Sequence, residues 1–213
     1  MTHLFCLQFQ FGAQRRFLPC RATTGTLLSK NFILFSADHI FYEVKSRSKM
    51  YRDIKWFSYN REIVDPCPES LPMFQILASQ VDFVDKQLME NLSRQVVTLV
   101  CDQMSAFYIH DVILISQFNP NGSLQLKLDI DKGMNAIFSH HSMDENQLET
   151  HFQLIDVITI LIMKTPNAIL LNESLNDAKQ AANAKDILRE VGVTCLDGDQ
   201  VIKILNRRVD LKS

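Results

Sequence analysis

Residues 118–138 read FNPNGSLQLKLDIDKGMNAIF. The centre, 124–130, alternates apolar and polar residues without a miss, which is the period of a half-exposed β-strand. It follows an Asn-Pro-Asn-Gly run that suits a turn. A strand needs a partner for its backbone groups, and no other run in the chain has strand periodicity. On a helix, Leu124 and Leu128 share one face, Leu126, Ile130 and Ile137 another, and Met134 and Phe138 continue the pattern. The spacing therefore predicts a turn over 119–122 and a helix over 123–139 capped by Ser123. Its apolar residues lie on nearly all sides, so it should be buried. Gly133 would weaken such a helix by about 1 kcal/mol relative to alanine.

Working outward, helical spacing dominates. Residues 38–55 carry Ile40, Val44, Met50 and Tyr51 between charges. Pro66, Pro68 and Pro72 make 62–72 a linker, with Ser70 as the next cap. Leu77, Val81, Val84, Leu88, Leu92, Val96 and Leu99 then step along one face, and neither Gly nor Pro interrupts 73–118. An unbroken helix there would run roughly 68 Å, a rod, with a kink where β-formers gather over 107–115. Ser142 to Glu145 forms a capping box that opens a helix burying Leu148, Phe152, Ile155 and Ile162. Thr165 caps a helix with Pro166 in its first position, running to Leu175. Asp177 caps 178–190, which stops at Gly192. Asp199 caps a last helix that buries Val201, Ile204 and Leu205, with Arg207 and Arg208 in its final turn.

Composition narrows the class. The chain has 213 residues, 46% apolar and 22% charged, with a net charge of −2. That charge gives no reason to expect direct nucleic-acid binding. Six Gly and six Pro disfavour turn-rich β folds. The five cysteines, Cys6, Cys20, Cys67, Cys101 and Cys195, are odd in number and form no C-x-x-C pair, which argues against a disulfide or zinc framework. The most apolar run, 154–163, is about half the length of a membrane span and contains Asp156. Residues 1–37 lack any acid but hold Arg15, Arg16, Arg21 and Lys30. That composition is like a mitochondrial transit peptide. A poorly ordered start, or a chain that does not begin at its natural N-terminus, are the alternatives.

Chemistry is scarce. There is no phosphate loop, nucleophile elbow, HEXXH or EF-hand pattern. His140, His141 and His151 lie among Asp144, Glu145 and Glu149, but a metal site needs three or four ligands that converge, and Glu149 and His151 diverge on a helix. His110 and Asp111 diverge likewise. Asp129 and Asp131 would form an acid pair only on a strand. Met73, Met89, Met104, Met134, Met143 and Met163 fall at core-like positions. The expectation is no catalytic, cofactor-binding or metal-ligating residue, and no cofactor. The competing possibility is a small metal- or acid-dependent enzyme using these groups.

Three stretches share one known pattern. In the first, YIHDVILISQFNPNGSLQLKLDIDKGMNAIF, the matching positions are Phe118, Asn119, Gly122, Gln125, Leu126, Asp129, Ile130 and Phe138, with Gly133 as a departure. In DHIFYEVKSRSKMYRDIKWFS they are Val44, Tyr51 and Trp56. In DILREVGVTCLDGDQVIKILNRRVDL they are Leu188, Val191, Gly192, Leu196, Val201, Leu205 and Arg208. Together these stretches resemble the RINT/Tip vesicle-tethering proteins, subunits of the Dsl-type tether at the endoplasmic reticulum; the resemblance covers 28–213, the C-terminal part of such proteins, and leaves 1–27 unmatched. It implies an all-α fold of elongated antiparallel helical bundles, in a fragment, isoform or truncated gene product. It also implies a non-catalytic role in Golgi-to-endoplasmic-reticulum retrograde transport. The partners would be other tether-complex subunits and endoplasmic reticulum SNARE proteins, met at the cytoplasmic face of that membrane, with peripheral association through those partners. A helical binding role in a DNA-damage or cell-cycle checkpoint is the alternative that the family name carries.

Overall fold

A computed structural model describes residues 26–141, 143–177 and 183–211. Every regular element among the described residues is helical; the one extended pairing is an isolated bridge between Phe118 and Arg208. The alternation over 124–130 is thus a helix. Of the residues behind the transit-peptide resemblance, 1–37, the first 25 lie outside the described set and the others belong to the first helix.

Helix α1 (Thr26–Arg47) starts earlier than its charge pattern suggests and buries Ile33, Ala37, Ile40 and Val44 as one stripe. It leads into the single turn α2 (Lys49–Arg52) and a 3₁₀ turn at Trp56–Ser58. After the proline-bearing linker come a 3₁₀ turn at Pro68–Ser70, α3 (Leu71–Gln87) with Pro72 in its first turn, and α4 (Glu90–Phe107). The rod expected over 73–118 does not form. Leu88 and Met89 both turn extended, at φ/ψ of −103/156° and −64/145°, and end α3. Any residue adopts such angles, so the break needs no Gly or Pro. The Leu88 N–H still bonds the Val84 carbonyl, the Ser93 N–H bonds the Met89 carbonyl, and the Ser93 hydroxyl donates across the bend to Asp85.

The pairs Asp38–Gln103 and Lys45–Asp111 set α1 and α4 running the same way. The C-terminal end of α1, through α2, meets the turn before α3, so α3 runs against both. One apolar stripe, read as continuous in the sequence, faces α1 from two antiparallel helices. The expected kink is a π-helical segment at Tyr108–Ile113, marked by the Leu114 N–H to Ile109 carbonyl bond of 2.9 Å.

Next come α5 (Pro120–Asp129), a second π segment at Ile130–Asn135 and α6 (Ala136–Phe138). Leu126, Ile130, Met134 and Phe138 are buried, whereas Leu124 is 45% exposed, so burial is one-sided. The cap is Asn119 rather than Ser123: its side chain accepts from the Gly122 N–H at 2.7 Å, and Pro120 takes the first position.

The second half holds α7 (Glu149–Leu161), α8 (Thr165–Asn176), turned 113° from it, α9 (Ala184–Glu190) and α10 (Gly198–Leu205). Its first expected cap, Ser142, lies outside the described residues; Asp144 caps the 3₁₀ turn at Glu145–Gln147 by accepting from the Asn146 N–H. Helix α7 packs on a side rotated from the one predicted: Leu148 is buried as expected and Ile162 is half-buried, but the two predicted residues between them face out. Leu154, Val157, Ile158 and Leu161 are buried, while Phe152 and Ile155 are 40% and 48% exposed. The reason is Asp156, which is drawn inward because its carboxylate accepts from the Thr194 and Cys195 N–H groups at 2.8 and 2.6 Å. Ile155→Ser should therefore change unfolding free energy in urea by no more than about 0.5 kcal/mol. A loss of about 2 kcal/mol would put Ile155 in the core.

Two further caps move. Lys164, not Thr165, is the cap residue of α8, and the Thr165 hydroxyl donates instead to Asp210 at 2.7 Å. Asp197, not Asp199, caps α10, in a reciprocal box with Gln200. Residues 178–182 lie outside the described set, so Asp177 as their cap does too. Gly192 ends α9 as expected, with φ +81° and a Val193 N–H to Leu188 carbonyl bond of 2.9 Å.

Candidate functional site

The opening stretch converges with the segment around Trp56 on a buried aromatic and polar knot. The Trp56 ring stacks on Phe118 at 5.6 Å and on Tyr59 at 5.9 Å, and meets the Tyr51 ring edge-on at 5.4 Å. Tyr51 in turn meets Tyr108 edge-on at 6.0 Å. The Trp56 carbonyl accepts from the Asn119 N–H, and the Asn119 amide donates to the Tyr59 carbonyl at 2.9 Å. Gly122 lies so close that a Cβ there would stand 2.3 Å from the Trp56 carbonyl oxygen. Gly133, counted above as a weakness, has the same kind of reason: its Cβ would fall 2.3 Å from the Phe74 ring.

Asp129 is the polar centre. Fully buried, it accepts from the Cys67 N–H at 2.8 Å, the Cys67 thiol at 3.1 Å and the Gln125 amide at 2.8 Å. Gln125 also donates to the Asp65 carbonyl, so α5 holds the proline linker in place. The Tyr51 hydroxyl is turned toward the same carboxylate without good hydrogen-bond geometry. Burial raises the Asp129 pKa against the lowering pull of these donors, and burial with the Asp129 charge pushes the Cys67 thiol up. Both groups are shut off from solvent and bonded to each other, which leaves neither with a face open to a substrate.

The other candidates disperse. Asp131 sits on the outside, paired with Lys127, so Asp129 and Asp131 form no acid pair. His141 bonds Asp85 at 2.6 Å and, with His140, Glu90, Ser93 and Arg94, lines a surface cleft of about 340 Å³ at the α3–α4 bend. His151 lies elsewhere, its Nδ1 3.1 Å from the Ser105 Oγ. Among the described residues no three His, Cys, Asp or Glu side chains gather as metal ligands. Asp111 pairs with Lys45 while His110 is exposed. Met73, Met104 and Met134 are buried, but Met89 is 50% exposed at the unforeseen bend.

Ser105, His151 and Asp102 together have triad residue types without triad wiring. The buried Ser105 hydroxyl donates to the Cys101 carbonyl at 2.9 Å, and Asp102 is spent capping α7, accepting from the Thr150 N–H and hydroxyl at 3.0 and 2.9 Å. Burial lowers the His151 pKa despite Asp102. The folded state then resists protonation, so the His151 contribution to stability is present above the unfolded value near 6.5 and is lost as pH falls below it. His151→Gln should flatten that acid limb of the urea midpoint. An unchanged pH profile would assign the limb to other groups.

A strap at the C-terminal end, unread in the sequence, locks the arrangement. The Phe118 N–H donates to the Arg207 carbonyl at 2.7 Å, and the Val209 N–H donates to the Phe118 carbonyl at 2.9 Å. The side chain of Arg208 is buried and donates to the Ile160 and Met163 carbonyls at the end of α7 and to Asp210.

Most of the residues quoted from the three family-like stretches build this interior, while Asn119, Val191 and Leu196 are half-buried and Gly192 is exposed. Val44, Tyr51, Trp56, Phe118, Gln125, Leu126, Asp129, Ile130, Phe138, Leu188, Val201, Leu205 and Arg208 are all buried. A family model described as the RINT-1/TIP-1 family matches residues 27–208. The chain belongs to the RINT-1/TIP-1 family. That family is one of non-catalytic tethering subunits. The chain is 27% identical over 176 residues to a RINT1-like protein of Drosophila melanogaster, covering 80% of this chain and 24% of that protein. Its fold matches Tip20 of the Dsl1 complex, solved with the SNARE Sec20 bound to it, with a TM-score of 0.65 at 18% identity, over 85% of this chain and 31% of Tip20. The chain thus spans about a quarter of the length of the RINT1-like protein and under a third of the solved chain it matches. Most positions quoted from the three stretches are interior in this chain: they lock the helices together and leave the outer faces unassigned.

Proposed function

We propose that this RINT-1/TIP-1 chain is a non-catalytic module of a vesicle-tethering subunit in Golgi-to-endoplasmic-reticulum retrograde transport. In this proposal residues 28–213 form one helical tether domain. It binds tether-complex subunits and SNARE proteins of the endoplasmic reticulum through helix faces, and reaches the cytoplasmic side of that membrane as a peripheral protein. One observation carries the proposal: the family match over 27–208 coincides with an intact knot, every motif position in it buried or bonded. Helix-face binding draws its energy from a few buried apolar anchors and needs no active-site group.

A pull-down from detergent-solubilised membranes with the tagged chain tests it. The expected result is recovery of a SNARE resident in the endoplasmic reticulum, unchanged in Asp129→Asn if that variant stays helical. Recovery of Golgi or nuclear partners only, with no such SNARE, would overturn the proposal.

A further inference from the structure

We draw no further inference here: the strongest candidate, the exposed apolar stripe of Phe152 and Ile155 on the outer side of α7, is an unpartnered helix face, and nothing in the structure shows what covers it.

Discussion

Gly122→Ala should destabilise the protein by about 3 kcal/mol, the upper part of the usual range for overpacking. The added methyl meets a main-chain oxygen, Trp56 O, at 2.3 Å, and that oxygen already accepts the Asn119 N–H. A side chain could rotate away; this carbonyl can move only by shifting the 3₁₀ turn that carries the Trp56 ring, with its contacts to Tyr51, Tyr59 and Phe118. In thermal melts the loss corresponds to a fall of roughly 6–12 °C for a domain of this size. Gly192→Ala is the control. Its φ of +81° strains any side chain, but no atom lies within 4 Å of the added Cβ, so its cost is about 1 kcal/mol. Equal effects at the two positions would mean that contact with Trp56 does not constrain Gly122.

Arg208→Ala should cost about 3–5 kcal/mol, the range for removing one member of a buried ion pair. The arginine side chain is 3% exposed and that of Asp210 16%. The substitution strips Asp210 of its charged partner and leaves the Ile160 and Met163 carbonyls without the guanidinium. Arg208→Lys should recover little, because one ammonium cannot span a carboxylate and two carbonyls as the planar fork does. Burial opposes ionisation of Asp210, yet Arg208 and Thr165 hold its carboxyl below the usual range. The pair therefore contributes fully above the unfolded value of about 3.9 and is lost as pH falls through the depressed folded value. Urea unfolding at neutral pH measures the mutant effect, and a loss under about 1 kcal/mol would make the strap ornamental.

The helical character of 120–138 was legible because a strand there had no partner anywhere in the chain, a global argument that outweighs a local period. Gly192 was legible because glycine is nearly unique in tolerating its backbone angles. The break at Leu88–Met89 was not, since extended backbone leaves no compositional mark and the apolar stripe runs straight through it. The face of α7 was misread for a related reason. Its apolar residues nearly encircle the helix, and the deciding group was a carboxylate bonded to N–H groups 38 and 39 residues away. The Asp129–Cys67 contact, 62 residues apart, leaves no periodic trace either. What could have been found is the role of the motif. Residues such as Tyr51, Trp56, Phe118 and Asp129, spaced too irregularly to share one helix face, are placed to be gathered from several elements into one interior.

Helix α7 has no side-chain cap of its own at its N-terminus. Its first turn is served by Asp102 and its last carbonyls by Arg208, each 48 residues away in the chain. This arrangement sets an order of events during synthesis. When residues 149–161 leave the ribosome, Asp102 is already outside, and the start of the helix can be secured at once. Arg208 emerges about 48 residues later, which at 5–20 residues per second is a wait of roughly 2–10 seconds. Through that interval the Ile160 and Met163 carbonyls wait for the guanidinium that later serves them, so the two ends of α7 are secured at different times.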